Sequence, residues 1–184
     1  MVGAVLTQNT NWTNVSRAID TLKNEGLLSF EAISALPLDT LAEKIRPSGY
    51  YNLKAKRLTN LLGLIHRKYD GDLSLFFQTD QDTLRQDLLS VKGIGPETAD
   101  SIILYAAKHP VFVVDAYTHR ILSRHGIIGE ESDYHEIQDL FMDSLPADTA
   151  LFNEYHALLV RLGKEFCKKT NPRCSSCPLK EPEE

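Results

Sequence analysis

Leu88-Leu89-Ser90-Val91-Lys92-Gly93-Ile94-Gly95-Pro96-Glu97-Thr98-Ala99 is the stretch that decides the fold of this 184-residue chain. It reads as helix, tight turn, helix. Gly93 and Gly95 permit positive φ and a close backbone approach, and Ile94 between them is suited to anchoring the turn in a core. Pro96 fits the first position of a helix, and Glu97 favours the positive end of the helix dipole. A glycine-rich turn that opens a helix directs backbone N–H groups outward, which makes an anion site suited to a DNA phosphate. A plain connection between two helices has the same look, and Pro96 removes one donor from such a site.

Outward from the hairpin the chain is helical almost throughout. Val15, Ile19 and Leu22 recur at helical spacing after Asn11, a fitting N-cap, and Gly26 suits the far end. Leu58, Leu61, Leu62 and Ile65 form another stripe, as do Ala99, Ile102, Ile103 and Ala106. Ile137, Leu140 and Phe141 follow a cap at Ser132 or Asp133, and Leu151, Tyr155, Leu158, Leu159 and Leu162 mark a long helix ending near Gly163–Cys167. These stripes are core. Val111-Phe112-Val113-Val114 is strand-like, but an isolated strand has no ladder partner, so it reads as an extended connector entering a helix at Asp115. Pro37, Pro47, Pro110 and Pro146 punctuate helix boundaries. The expectation is an all-α protein.

Composition narrows the class. The chain is 42% hydrophobic and 24% charged, which argues against disorder. No apolar run approaches the ~20 residues of a membrane span, and the opening Met1–Leu6 lacks the basic flank of a secretory signal. Three cysteines, all between 167 and 177, do not make a secreted disulfide framework, so a cytoplasmic protein is expected. The net charge of −5 does not announce a nucleic-acid binder, yet it hides a segregated pattern. Lys44, Arg46, Lys54, Lys56, Arg57, Arg67 and Lys68 fall in a stretch without Asp or Glu. Arg161, Lys164, Lys168, Lys169 and Arg173 form a second cluster broken only by Glu165. Residues 125–160 hold acids and no Lys or Arg. Such a run is either a solvated helix face or a patch for a polyanion.

Val113-Val114-Asp115-Ala116-Tyr117-Thr118-His119-Arg120 follows the hairpin at a fixed distance, with Asp115 twenty residues after Gly95. The pair V-K-G-I-G-P-E-T-A-D and V-V-D-x-x-x-x-R resembles the helix-hairpin-helix, Gly/Pro-rich, aspartate superfamily of DNA glycosylases, typified by endonuclease III. Leu6-Thr7-Gln8-Asn9-Thr10 and Gly49-Tyr50-Tyr51-Asn52-Leu53-Lys54-Ala55 are similar to family segments, and the resemblance runs from about residue 2 to 180. It implies a bilobed endonuclease III-like fold. Residues 1–9 are then the remnant of a first helix with an incomplete N-terminus. A barrel-like helical lobe over 10–128 carries the hairpin at 82–107, and a second lobe over 129–184 carries a cysteine loop at 167–177.

The resemblance also assigns roles. Cleaving an N-glycosidic bond builds oxocarbenium character on the sugar, so a fixed carboxylate there stabilises the transition state and can orient or deprotonate water. Asp115 matches the motif aspartate; a helix cap is its bland reading, and both can hold. Family members that also nick the strand use a lysine two residues after the second hairpin glycine to form a Schiff base. Glu97 stands there and cannot form an imine, which implies a monofunctional enzyme. Val91, Gly93, Ile94, Gly95 and Lys54 are the expected DNA contacts, Gln8 fills the space left by a flipped base, and Tyr50 is the wedge. Trp12 is the candidate wall of the base pocket, with Glu97 beside it, although core packing is an equal reading of Trp12 and Tyr50. The T-Q-N-T and R-P-S-G-Y-Y segments look most like the 3-methyladenine glycosylase branch, and an aromatic pocket suits cationic alkylated purines. Oxidised-pyrimidine or mismatch glycosylases are the runners-up. The partner is double-stranded DNA with a damaged base, met by a monomer.

Cys167-x6-Cys174-x2-Cys177 is similar to the first three ligands of the family's [4Fe–4S] loop, which takes four thiolates. The fourth belongs at position 183, where this sequence has Glu183. Zinc with three Cys and a His is a formal alternative, but no His follows His156. The reading from a different class is a non-catalytic helix-hairpin-helix DNA-binding module. Asp115 favours the enzyme; Pro96, Glu97 and the missing fourth Cys favour the module.

Overall fold

The computed structural model describes residues 1–180, and among them no β-strand occurs. The chain forms two compact units that divide between Ala107 and Lys108. Residues 1–9 belong to the first unit. Lys108, with a positive φ of 65°, opens the second unit two residues before Pro110, and the connector that follows is bonded to the helices after it.

The first unit contains α1 (Val2–Thr7), α2 (Trp12–Asn24), α3 (Phe30–Ala35), α4 (Leu38–Lys44), α5 (Tyr51–Tyr69), α6 (Leu73–Gln78), α7 (Gln81–Ser90) and α8 (Pro96–Ile102). Side-chain oxygens start several of these helices by accepting from orphan N–H groups: Asn11 for α2, Ser29 for α3, Asp72 for α6 and Asp80 for α7. Gly26 takes φ 69° after α2 and closes it, as its position suggested. α5 is the axis of the unit: Leu58, Leu61, Leu62 and Ile65 are all buried. Arg85 of α7 forms a two-pronged ion pair with the buried Asp100 of α8, at 2.8 and 3.2 Å, which ties the two hairpin helices together.

The second unit contains α9 (Ala116–Arg124), α10 (Tyr134–Ser144) and α11 (Thr149–Glu165). Val111–Val114 is the extended connector expected, and side chains of α10 do what a strand partner would have done. Gln138 Nε2 donates to the Phe112 carbonyl at 2.6 Å, the Phe112 N–H reaches the Met142 sulfur, and the Val114 N–H reaches the Tyr134 hydroxyl. Phe112 stacks on Phe141, with centroids 3.8 Å apart, and meets Phe152 edge-on. Asp133, rather than Ser132, caps α10, and Glu136 completes a reciprocal capping box. Leu140, Tyr155 and Leu158 are exceptions to the core reading of their stripes, being substantially exposed. Gly163 lets α11 close on α9: a Cβ there would lie 2.3 Å from the Tyr117 ring.

Candidate active site

Asp115 is the last extended residue before α9, and its carboxylate is held from two sides. Oδ1 accepts from the N–H of Tyr117 (2.9 Å), the N–H of Thr118 (2.8 Å) and the Thr118 hydroxyl (3.0 Å). Oδ2 lies 3.6 Å from Nε2 of His156 on α11. Burial by itself raises the carboxyl pKa. His156 and the Thr118 donors outweigh it, and the net direction is downward, so Asp115 is an anion at neutral pH. The cap reading of Asp115 holds: the helix terminus fixes one oxygen, while the other is turned to a side chain that is itself largely buried. His156 was not singled out in the sequence, because nothing local links α11 to the start of α9. Thr118 carried a readable signal, since D-x-x-T places its N–H and hydroxyl on the capping oxygen.

The first unit holds the remaining candidate residues. In the hairpin, Val91 and Ile94 are buried and the Ile94 N–H closes the turn on the Val91 carbonyl at 3.0 Å. Gly93 uses its freedom, at φ 98°, and is exposed, whereas Gly95 is extended and begins α8. A Cβ at Gly93 would come within 2.5 Å of Arg57, so glycine is also required for packing. Glu97 is exposed in the first turn of α8.

Gln8 is drawn onto this hairpin. Its Nε2 donates to the Gly93 carbonyl (3.1 Å) and to the Thr98 hydroxyl (2.8 Å), and its Oε1 accepts from Arg57 of α5. Arg57 was read only as part of a basic run. Tyr50 stands 71% exposed at the start of α5, in the left-handed conformation with φ 47°. Trp12 is 53% exposed, with its ring edge packed over Gly3 of α1, so it is neither a core residue nor enclosed.

Lys54 is a correction. It was expected to contact DNA, yet it is wholly buried, with Nζ donating to the carbonyls of Leu6 (2.8 Å) and Ser48 (2.6 Å). Desolvation first, and then the nearby Arg57 charge, lower its pKa to about 8. An ammonium enclosed in this way offers nothing to a phosphate.

The cysteine loop does not fit a four-thiolate cluster as it stands. Cys167 is buried, Cys174 exposed and Cys177 half-buried, and all three are free thiols. Among the described residues no group of three or more His, Cys, Asp or Glu side chains is gathered to hold a metal ion. Position 183, expected to supply the fourth ligand, lies outside the described residues. Two arginines of α9 hold the loop. Arg120 donates to the carbonyls of Cys167 (2.8 Å) and Gly163 (3.3 Å). Arg124 reaches the Lys168 carbonyl (2.6 Å), the Lys169 carbonyl (3.0 Å) and the Cys167 sulfur (3.4 Å).

A family model described as HhH-GPD superfamily base excision DNA repair protein matches residues 2–147. The chain belongs to the HhH-GPD superfamily. It is 51% identical over 183 residues to a Methanocaldococcus jannaschii protein inferred to be a DNA repair glycosylase, covering 98% of this chain and 82% of that one. It is similar to the H. pylori 3-methyladenine DNA glycosylase MagIII, solved bound to 1,N6-ethenoadenine, at 34% identity and TM-score 0.78, over 89% of this chain and 83% of that one. It is also similar to endonuclease III in a trapped covalent complex with DNA, at 25% identity and TM-score 0.81, covering 97% of this chain and 78% of that one. The HhH-GPD membership and these likenesses make the chain a base excision repair DNA glycosylase whose partner is DNA, on the all-α endonuclease III-like fold. The non-catalytic module is thereby set aside. No helix among the described residues is long and apolar enough to cross a membrane.

Proposed function

We propose that this HhH-GPD glycosylase is monofunctional and hydrolyses the bond between deoxyribose and an alkylated purine flipped out of duplex DNA. The observation that carries the reading is Glu97: the position that bears the Schiff-base lysine in nicking relatives holds an exposed carboxylate here, and a carboxylate cannot form an imine. Asp115 then acts electrostatically. As the C1′–N bond breaks, its electron pair leaves with the base, and the sugar becomes cationic beside a carboxylate already ionised and held by helix N–H groups. Water adds to C1′ and passes its proton towards Asp115. An alkylated, cationic purine departs as a neutral base and needs little acid assistance, and half-exposed Trp12 offers such a cation an aromatic face. The likeness to MagIII, bound to a modified adenine, supports the same substrate class. Gln8 and Tyr50 are the residues assigned to the vacated stack, and Val91–Gly95 to a backbone phosphate. The working unit proposed is a monomer on duplex DNA.

The test is a substrate screen on duplexes carrying one alkylated, oxidised or mismatched base. The expected result is release of free base from the alkylated duplex, with the strand intact until alkali is added. A covalent complex trapped by borohydride would overturn the monofunctional reading, and release confined to oxidised or mismatched bases would overturn the substrate class.

A further inference from the structure

We propose that Lys54 is a positioning residue that couples the turn bearing Gln8 to the turn bearing Tyr50, so that the two side chains enter the duplex as one device. This rests on the reading of Gln8 and Tyr50 as the residues that probe the vacated stack. The Lys54 ammonium donates to Leu6 O, two residues before Gln8, and to Ser48 O, two residues before Tyr50. Both acceptors belong to helix ends, the last turn of α1 and the 3-10 turn Arg46–Ser48, where carbonyls lack an intrahelical partner. One cation therefore closes two chain reversals that are distant in sequence.

Both reversals need an external brace. Asn9, next to Gln8, has φ 53°, and Gly49 and Tyr50 have φ 68° and 47°. Non-glycine residues in this region are strained and persist only where their surroundings over-determine them. Tyr50 begins α5 with no side-chain cap. A methionine would fill the same space without the desolvation that an enclosed ammonium suffers, but it has no directional N–H to offer two carbonyls. Arg57, one helical turn further along α5, holds Gln8 itself by its amide oxygen. α5 thus mounts Tyr50 at its start, the brace of both turns at Lys54 and the grip on Gln8 at Arg57.

Coupling is measured by a mutant cycle of Gln8→Ala and Tyr50→Ala, singly and together, made with Lys54 intact and again with Lys54→Met. The readouts are single-turnover base release from an alkylated duplex and Kd for a duplex with an abasic-site analogue. With Lys54 intact, the two losses combine with an interaction factor of about tenfold; with Lys54→Met the factor falls to within about twofold of unity. A merely structural lysine lowers all four variants by one common factor and leaves the interaction unchanged, and that result overturns the proposal. If Gln8→Ala and Tyr50→Ala change neither readout with Lys54 intact, the assignment of these two residues to the stack has failed, and the coupling fails with it. Should circular dichroism show Lys54→Met unfolded, Lys54→Gln, which keeps an N–H donor, is run in the same cycle. An interaction factor between the two extremes supports the proposal, and an unchanged one overturns it.

Discussion

Two helix beginnings in this protein use buried charge in opposite ways. α9 starts on Asp115, whose own carboxylate caps it through Oδ1 and leaves Oδ2 facing His156. α5 starts on Tyr50 with no side-chain cap, and the charge of its first turn, Lys54, is turned inward onto two carbonyls. The first charge is fixed at one oxygen and is the one proposed to meet the sugar; the second is enclosed and braces two turns. Sequence alone shows an ionisable residue at a helix start in both cases. Each engages two backbone groups; what tells them apart is that the Lys54 side chain is wholly buried, whereas Asp115 keeps Oδ2 off the backbone and facing His156.

The comparison can be broken at Asp115 with the largest effect. Asp115→Asn keeps an N-cap of equal quality, so the protein stays folded, while base release falls by roughly a thousandfold because the neutral amide cannot balance a cationic sugar. Single-turnover release at saturating enzyme, with circular dichroism as the control, checks this. At α5, Lys54→Met leaves the carbonyls of Leu6 and Ser48 without their donor and destabilises the fold by about 2 kcal/mol in denaturant titration. Its pH dependence has a definite sign. The folded-state pKa is lowered from 10.5 to about 8, so between those values the unfolded chain holds more protons and stability rises with pH. The deficit of Lys54→Met against the parent protein therefore widens from pH 8 towards 10.5. The smallest effect belongs to Thr118→Val, which removes one hydroxyl donor, 3.0 Å from Asp115 Oδ1. It costs about 1 kcal/mol and raises the Asp115 pKa, visible as an acid limb of the pH–rate profile displaced to higher pH.

Much of this was legible in the chain. The hairpin could be read because its information is local: two glycines, a buried Ile94 and a Pro96 in adjacent positions. The Asp115 cap was local as well. Lys54 was expected at DNA from the resemblance of its segment, although a contrary signal was available: it shares the helical face of Leu58, Leu61 and Ile65, so its stem points into the core. His156 was illegible because its meeting with Asp115 depends on how α11 packs on α9 at Gly163. Gly95 looked like a second positive-φ glycine, yet it is extended at φ −100°, and Gly93 alone makes the hairpin's left-handed turn.

The central claim is that Asp115 carries a full negative charge, held by amide N–H groups and His156, before any substrate arrives. Carbon-13 NMR of aspartate carboxyls in the folded protein, with the Asp115 signal assigned by its loss in Asp115→Asn, measures that charge directly. The account predicts a titration midpoint below the ordinary aspartate value of 3.8. A midpoint above that value, leaving a protonated acid at the start of α9, would contradict it.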